Sequence, residues 1–173
     1  MLQVGNQAQN ATSKQLPGPV RVKPCVGVFT FSFVGNDQGN DKGSLGLGRE
    51  PGTAAINPHD FGWNYPEQKQ KGESDWHFRH RRVKMQNSKI TPNIEKIHIE
   101  PHGLKVPKGM PDDSLPTPPY TATDIGDSNI RGAANRIDIY TDVSKEEANK
   151  LGKQKAKTTV YVPASWPCPR HTK

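Results

Sequence analysis

The sequence predicts an α+β fold: a small, mostly antiparallel sheet with one clear C-terminal helix and extensive Gly/Pro-rich loops. Three observations carry that reading. Residues 26–34, VGVFTFSFV, alternate as a strand does, with Phe29, Phe31 and Phe33 on one face. Residues 135–163 read as a strand, a capped helix and a strand. Finally, 16 glycines and 16 prolines among 173 residues leave much of the chain to turn and loop.

Residues 1–19 are polar, carry Pro17-Gly18-Pro19, and read as a flexible arm ahead of a single domain over 20–173. The strand at 26–34 turns Val28, Thr30, Ser32 and Val34 away from its phenylalanines. Glycines at 35, 39, 43, 46, 48 and 52 make the next stretch a long loop or a wide hairpin connection. Residues 57–73 are irregular and pinned by Phe61, Trp63 and Tyr65. Residues 76–85 are read as a strand, and IEKIHIE, 94–100, as another with Ile97 and Ile99 together. Five prolines over 107–120 suggest an extended linker or surface crossing.

The last third is the best defined. In NRIDIY, 135–140, Ile137 and Ile139 alternate with Asp138 and Tyr140. Ser144 and Glu147 stand at capping-box spacing, Gly152 fits the residue after a helix, and Val143, Ala148 and Leu151 form its weak apolar stripe. KTTVYVP, 157–163, is a strand stopped by Pro163.

Composition bounds the function. Only 31% of residues are hydrophobic and the mean hydropathy is −0.84, so the core is small for the length. The net charge is +7, with 8 basic and 2 acidic residues over 79–110, which favours an acidic partner. No run of about 18 apolar residues offers a membrane span, and no signal-peptide pattern opens the chain, so an intracellular, cytoplasmic location is the default expectation. Cys25 and Cys168 are too few for a disulfide framework, so free cytosolic thiols are the default expectation; in an oxidising compartment one bridge could tie the two ends together.

The stretch SDWHFRHRR, 74–82, is the strongest candidate for anion binding. Arginine forks match phosphate, and aromatic rings stack on unpaired bases. The binding residues are Trp76, His77, Phe78, Arg79, Arg81, Arg82, Lys84 and Lys89. The same region supplies a hydrolytic alternative, a toxin-like nuclease with His80 and His98 as general acid and base. His98-x-Glu100 with Pro167-Cys168 and His171 is an incomplete echo of a zinc deaminase signature, lacking its helical context. Cys25 precedes a strand, not the helix start that activates a thiol. GSLGLGREPG, 43–52, lacks the lysine and following helix of a phosphate loop.

No cofactor or metal is therefore expected. The reading is a basic, non-enzymatic interaction protein that docks on an acidic surface, RNA or a nucleoprotein assembly first and an acidic protein otherwise. A third reading is a subunit of a large complex with no nucleic-acid contact. Nothing in the sequence fixes an oligomeric state.

Overall fold

The computed structural model describes residues 21–38 and 43–173. The arm at 1–19 and the centre of the glycine-rich loop lie outside the described residues. Six strands run in chain order: β1 Val22–Val34, β2 Thr53–Ile56, β3 His98–Pro101, β4 Tyr120–Ile125, β5 Arg136–Tyr140 and β6 Gln154–Pro163. They close into a barrel of order β1-β5-β2-β4-β3-β6. The expected small, mostly antiparallel sheet with one clear C-terminal helix is thus incorrect: the strands close into a barrel that includes two parallel pairings.

The long first strand explains the closure. Over Val22–Phe31 it pairs antiparallel with β6, and over Thr30–Val34 it pairs parallel with β5 on its other edge. One strand thereby joins both ends of the sheet, with the stagger that a barrel needs. A second parallel pair, β2 with β4, completes the wall. Neither β2 nor β4 is announced by the sequence. TAAI and YTATDI are short, rich in small residues and threonine, and lack the alternation that marks β1.

The inward side of the wall is apolar. Phe29, Phe31, Ile56, Ile97, Ile99, Tyr120, Ile137, Ile139 and Val160 are essentially removed from solvent. The phenylalanine face of β1 and the isoleucine pairs at 97/99 and 137/139 are therefore core, as their spacing predicts. The low apolar content suffices because a narrow barrel concentrates it in one lumen.

Helices decorate the outside. Residues 76–85, read as a strand, instead belong to α1, Asp75–Met85. A π-helical turn, Gln86–Ile90, and a short α2, Thr91–Ile94, continue it. Ser74 caps α1 by accepting from the His77 N–H, Asp75 sits in its first turn, and Arg82 and Lys84 sit in its last. That charge order suits the helix dipole. No residue of α1 is buried, so the apolar stripe that would have signalled a helix is missing. α3, Ser128–Arg131, follows β4. The C-terminal helix is not the clear helix expected of the fold: α4, Lys145–Leu151, is a minor element, with Ser144 accepting from the Glu147 N–H at 3.2 Å and Ala148 buried, while the main helical stretch lies at 75–94. α4 is a seven-residue element, shorter than α1.

Cys25 and Cys168 form a disulfide across 143 residues of chain. Closing so long a loop removes denatured-state entropy equivalent to about 5 kcal/mol in the chain-entropy account. The tail beyond it is stitched on: Val26 and Lys173 exchange backbone hydrogen bonds at 2.8 and 3.0 Å, and the Arg170 guanidinium donates to the buried Asp60 carboxylate at 3.0 Å.

Candidate functional site

Strand alternation puts Ile137 and Ile139 into the lumen and Asp138 on the outer face of β5. Register then extends a row across the wall. Asp138 is opposite Ser32 of β1 on one side and Ala55 of β2 on the other, and Ala55 is opposite Asp124 of β4. Asp124 joins this row through a bulge. Ala54 pairs with Ala122, but Ala55 skips Thr123 to pair with Asp124. Without the extra residue, Asp124 would point into the apolar lumen. Between the two acids stands only the Ala55 methyl, which leaves a slot above it.

Asp124 is 2% exposed and fully engaged. It accepts from the Ser44 N–H at 2.8 Å, the Ile125 N–H at 2.9 Å and the Tyr140 hydroxyl at 2.6 Å, and the Arg49 guanidinium lies 3.9 Å away. Arg49 also stacks on the Tyr140 ring, 5.0 Å from its centroid. Burial and the Asp124 charge push the Tyr140 hydroxyl far above the ordinary tyrosine range, so it remains a donor. The loop carrying Ser44 approaches so closely that a Cβ on Gly43 would fall 2.1 Å from an Asp124 carboxylate oxygen. Only glycine fits there.

Asp138 is different. Burial raises its carboxyl to about 6; Arg136 and Lys153 pull it down, and the charge of Asp127 pushes it up. Its buried Oδ1 finds no hydrogen-bond partner among the described residues. Asp127 caps α3 through the Asn129 and Ile130 N–H groups. Asp124, Asp127 and Asp138 all line one cleft of about 320 Å³, with Ser44, Arg49 and Tyr140. A chamber of about 400 Å³, bounded by Glu50, Pro51 and Thr141, adjoins it and shares Val34, Gln38, Arg49 and Tyr140. A half-buried acid whose carboxyl is raised to about 6, at the wall of a polar cleft, can donate its proton to a bound oxygen.

The residues singled out in the sequence lie elsewhere. Trp76, His77, Phe78, Arg79, His80, Arg81, Arg82 and Lys84 are on α1, and Lys89 is in the π turn. Trp76 is 64% exposed and stacks parallel on His80, their ring centroids 5.0 Å apart. Arg79, Lys84 and Lys89 are exposed. Two arginines are committed to the fold. Arg81 makes a two-pronged bond to Glu73 at 2.8 Å on each prong, and with the Gln70 N–H holds that carboxyl down to about 2. Arg82 donates to the Pro66 carbonyl at 2.7 Å and lies 4.4 Å over the Phe78 ring. His98 is on β3 and lines a separate groove to which His80 does not contribute. The disulfide occupies Cys168, so the zinc deaminase echo that used it has lost its thiolate. No cluster of three potential metal ligands occurs among the described residues.

Sequence reading missed Asp124, Asp138, Tyr140 and Arg49. For Asp138 a signal existed, an acid on the polar face of an otherwise apolar strand. For Asp124 there was none, because its orientation depends on the bulge. The chain matches no known protein family, no curated protein and no solved structure.

Proposed function

We propose that the protein cleaves a neutral, polyhydroxylated polymer, a glycan, with Asp138 as the acid. The carrying observation is the raised, unpartnered Asp138 carboxyl in a cleft that it shares with two other carboxylates. Cleavage of a glycosidic bond needs a proton on the departing oxygen and negative charge near the cation left behind. Asp138 delivers the proton as the C–O bond breaks and its electron pair leaves with the oxygen. Asp127 and Asp124 face the developing positive charge. An oxygen nucleophile, from water or a hydroxyl of the sugar, then adds and returns a proton to Asp138. Three acids against the single Arg49 make the cleft unfavourable for the phosphates of RNA. No histidine lines it. The hydrolase alternative thus moves from His80 and His98 to the acid cleft.

The test is release of new reducing ends or soluble fragments from insoluble cellulose, chitin and bacterial peptidoglycan across pH 4–8. Activity should be highest where Asp138 is protonated and fall as pH rises through about 6. Cleavage unaffected by Asp138→Asn would sink the proposal.

A second reading keeps the basic helix as a docking surface for an acidic partner, RNA first. The exposed Trp76–His80 stack beside Arg79 and Lys84 favours it. Titration into single-stranded RNA at two salt concentrations is decisive: salt-sensitive binding lost in the Trp76→Ala, Arg79→Ala, Lys84→Ala triple variant supports it, and unchanged binding refutes it. The disulfide fits an oxidising compartment better than the cytoplasm expected by default. No helix among the described residues is long and apolar enough to cross a membrane.

A further inference from the structure

A second groove lies over β4, β3 and β6, and register builds it as it builds the acid row. His98 of β3 is opposite Thr121 of β4 on one side and Tyr161 of β6 on the other, and all three are outward positions. Pro116, Thr117 and Pro118, from the proline-rich stretch, form a wall of the groove, and Val22 and Pro163 also line it. The enclosed space is about 850 Å³, more than twice that of the acid cleft.

The lining combines ring surfaces with sparse hydrogen-bonding groups. Tyr161 presents an aromatic ring, and three prolines add flat apolar faces. His98 accepts or donates at Thr121 Oγ1 over 3.3 Å, and burial lowers its pKa, so the imidazole is neutral at physiological pH. Glu100, bonded by the Tyr161 hydroxyl at 3.4 Å, stands among the polar lining groups. We propose that this groove is a second saccharide-binding site, which holds a remote stretch of the same glycan that the acid cleft cuts; this rests on the glycan reading above.

Three features select that occupant. Sugar rings offer apolar C–H faces to Tyr161 and the prolines, while their hydroxyls meet His98, Thr121 and Glu100. The charged lining is Lys96 against Glu95 and Glu100, with no concentration of cations to hold a polyanion. Each strand of the barrel has a neighbouring strand on both sides, so no strand offers a whole free edge to an extended peptide that would add to it. The two sites also share a strand. Thr121 and Asp124 both face outward from β4, three residues apart, or roughly 10 Å along the strand. One polymer chain can therefore reach both.

The experiment uses the full chain with Asp138→Asn as background for binding, and the unaltered acid for turnover. Co-sedimentation with cellulose, chitin and peptidoglycan is measured for the background and after adding Tyr161→Ala or His98→Ala. Each addition should weaken binding to the responsive polymer about tenfold, with Tyr161→Phe near the background value. With Asp138 intact, the same substitutions should leave the maximal rate on a short soluble oligosaccharide within twofold. Melting curves identify any variant that fails to fold, in which case the other alanine variant decides. Polymer binding unchanged by both alanine variants overturns the second site and leaves the acid cleft standing. Tyr161-dependent binding with turnover indifferent to Asp138→Asn overturns the cleavage reading and leaves a binding groove. Absence of both binding and cleavage on every glycan overturns both. Loss of binding to a basic or proline-rich peptide, but not to glycan, reassigns the groove to a protein partner and overturns the proposal.

Discussion

The acid row on the barrel and the basic face of α1 hold charge in opposite ways. α1 gathers five histidine or arginine side chains within the six positions from 77 to 82, plus one apolar ring, yet no residue of it is buried. Its charges are solvated or paired locally, and water screens them. The barrel strands space their charges far more thinly along the chain. There, burial lifts the Asp138 carboxyl to about 6, and a neighbouring acid 2% exposed is held by three hydrogen-bond donors, one of them the Tyr140 hydroxyl, and by the Arg49 cation. Density of charge in sequence is thus a poor guide to chemical potency. Removal from water is the better one.

Four predictions press on that contrast. The largest effect belongs to Asp138→Asn, which should lower glycan cleavage by about 10³-fold, the range for loss of a general acid. Next, Gly43→Ala should cost about 2 kcal/mol of stability and most of the activity, since its methyl meets the Asp124 carboxylate at 2.1 Å, measured by melt and assay together. The third concerns pH. Because the folded state keeps the Asp138 proton up to about 6 while the unfolded chain releases it near 3.8, unfolding free energy falls as pH rises through that window. Asp138→Asn should therefore gain about 3 kcal/mol relative to wild type at pH 7.5 and almost nothing at pH 3.5, read by denaturant titration. The smallest effect separates two arginines of α1. Arg82→Ala should lose about 1 kcal/mol through its Pro66 bond and its stacking on Phe78, whereas Arg79→Ala should change stability by less than about 0.5 kcal/mol. Equal costs at the two positions would erase the distinction between paired and solvated charge.

The same contrast explains what could be read from sequence. The strands β1, β5 and β6 and the Ser144 cap of α4 were legible, because each is written in local alternation or capping chemistry. Barrel closure was not. It depends on β2 and β4, whose alanines and threonines carry no strong period, and on parallel pairing between segments far apart in the chain. α1 was misread because its exposed residues show neither a helical stripe nor a clean two-residue alternation; only the Ser74 cap gave it away. Of the acid site, Asp138 was visible as a polar-face residue of β5. Asp124 was hidden behind one inserted residue, Thr123, whose presence only the pairing of β2 with β4 reveals.

Closure through β1 also has a consequence in time. Both partners of that strand, β5 and β6, begin more than a hundred residues downstream of its phenylalanines. At a synthesis rate of about 5–20 residues per second, a nascent chain carries Phe29, Phe31 and Phe33 unpaired for roughly 5–20 s before either partner exists. The barrel is therefore assembled only once nearly all of it has been made, and the first strand to leave the ribosome is among the last to find its place.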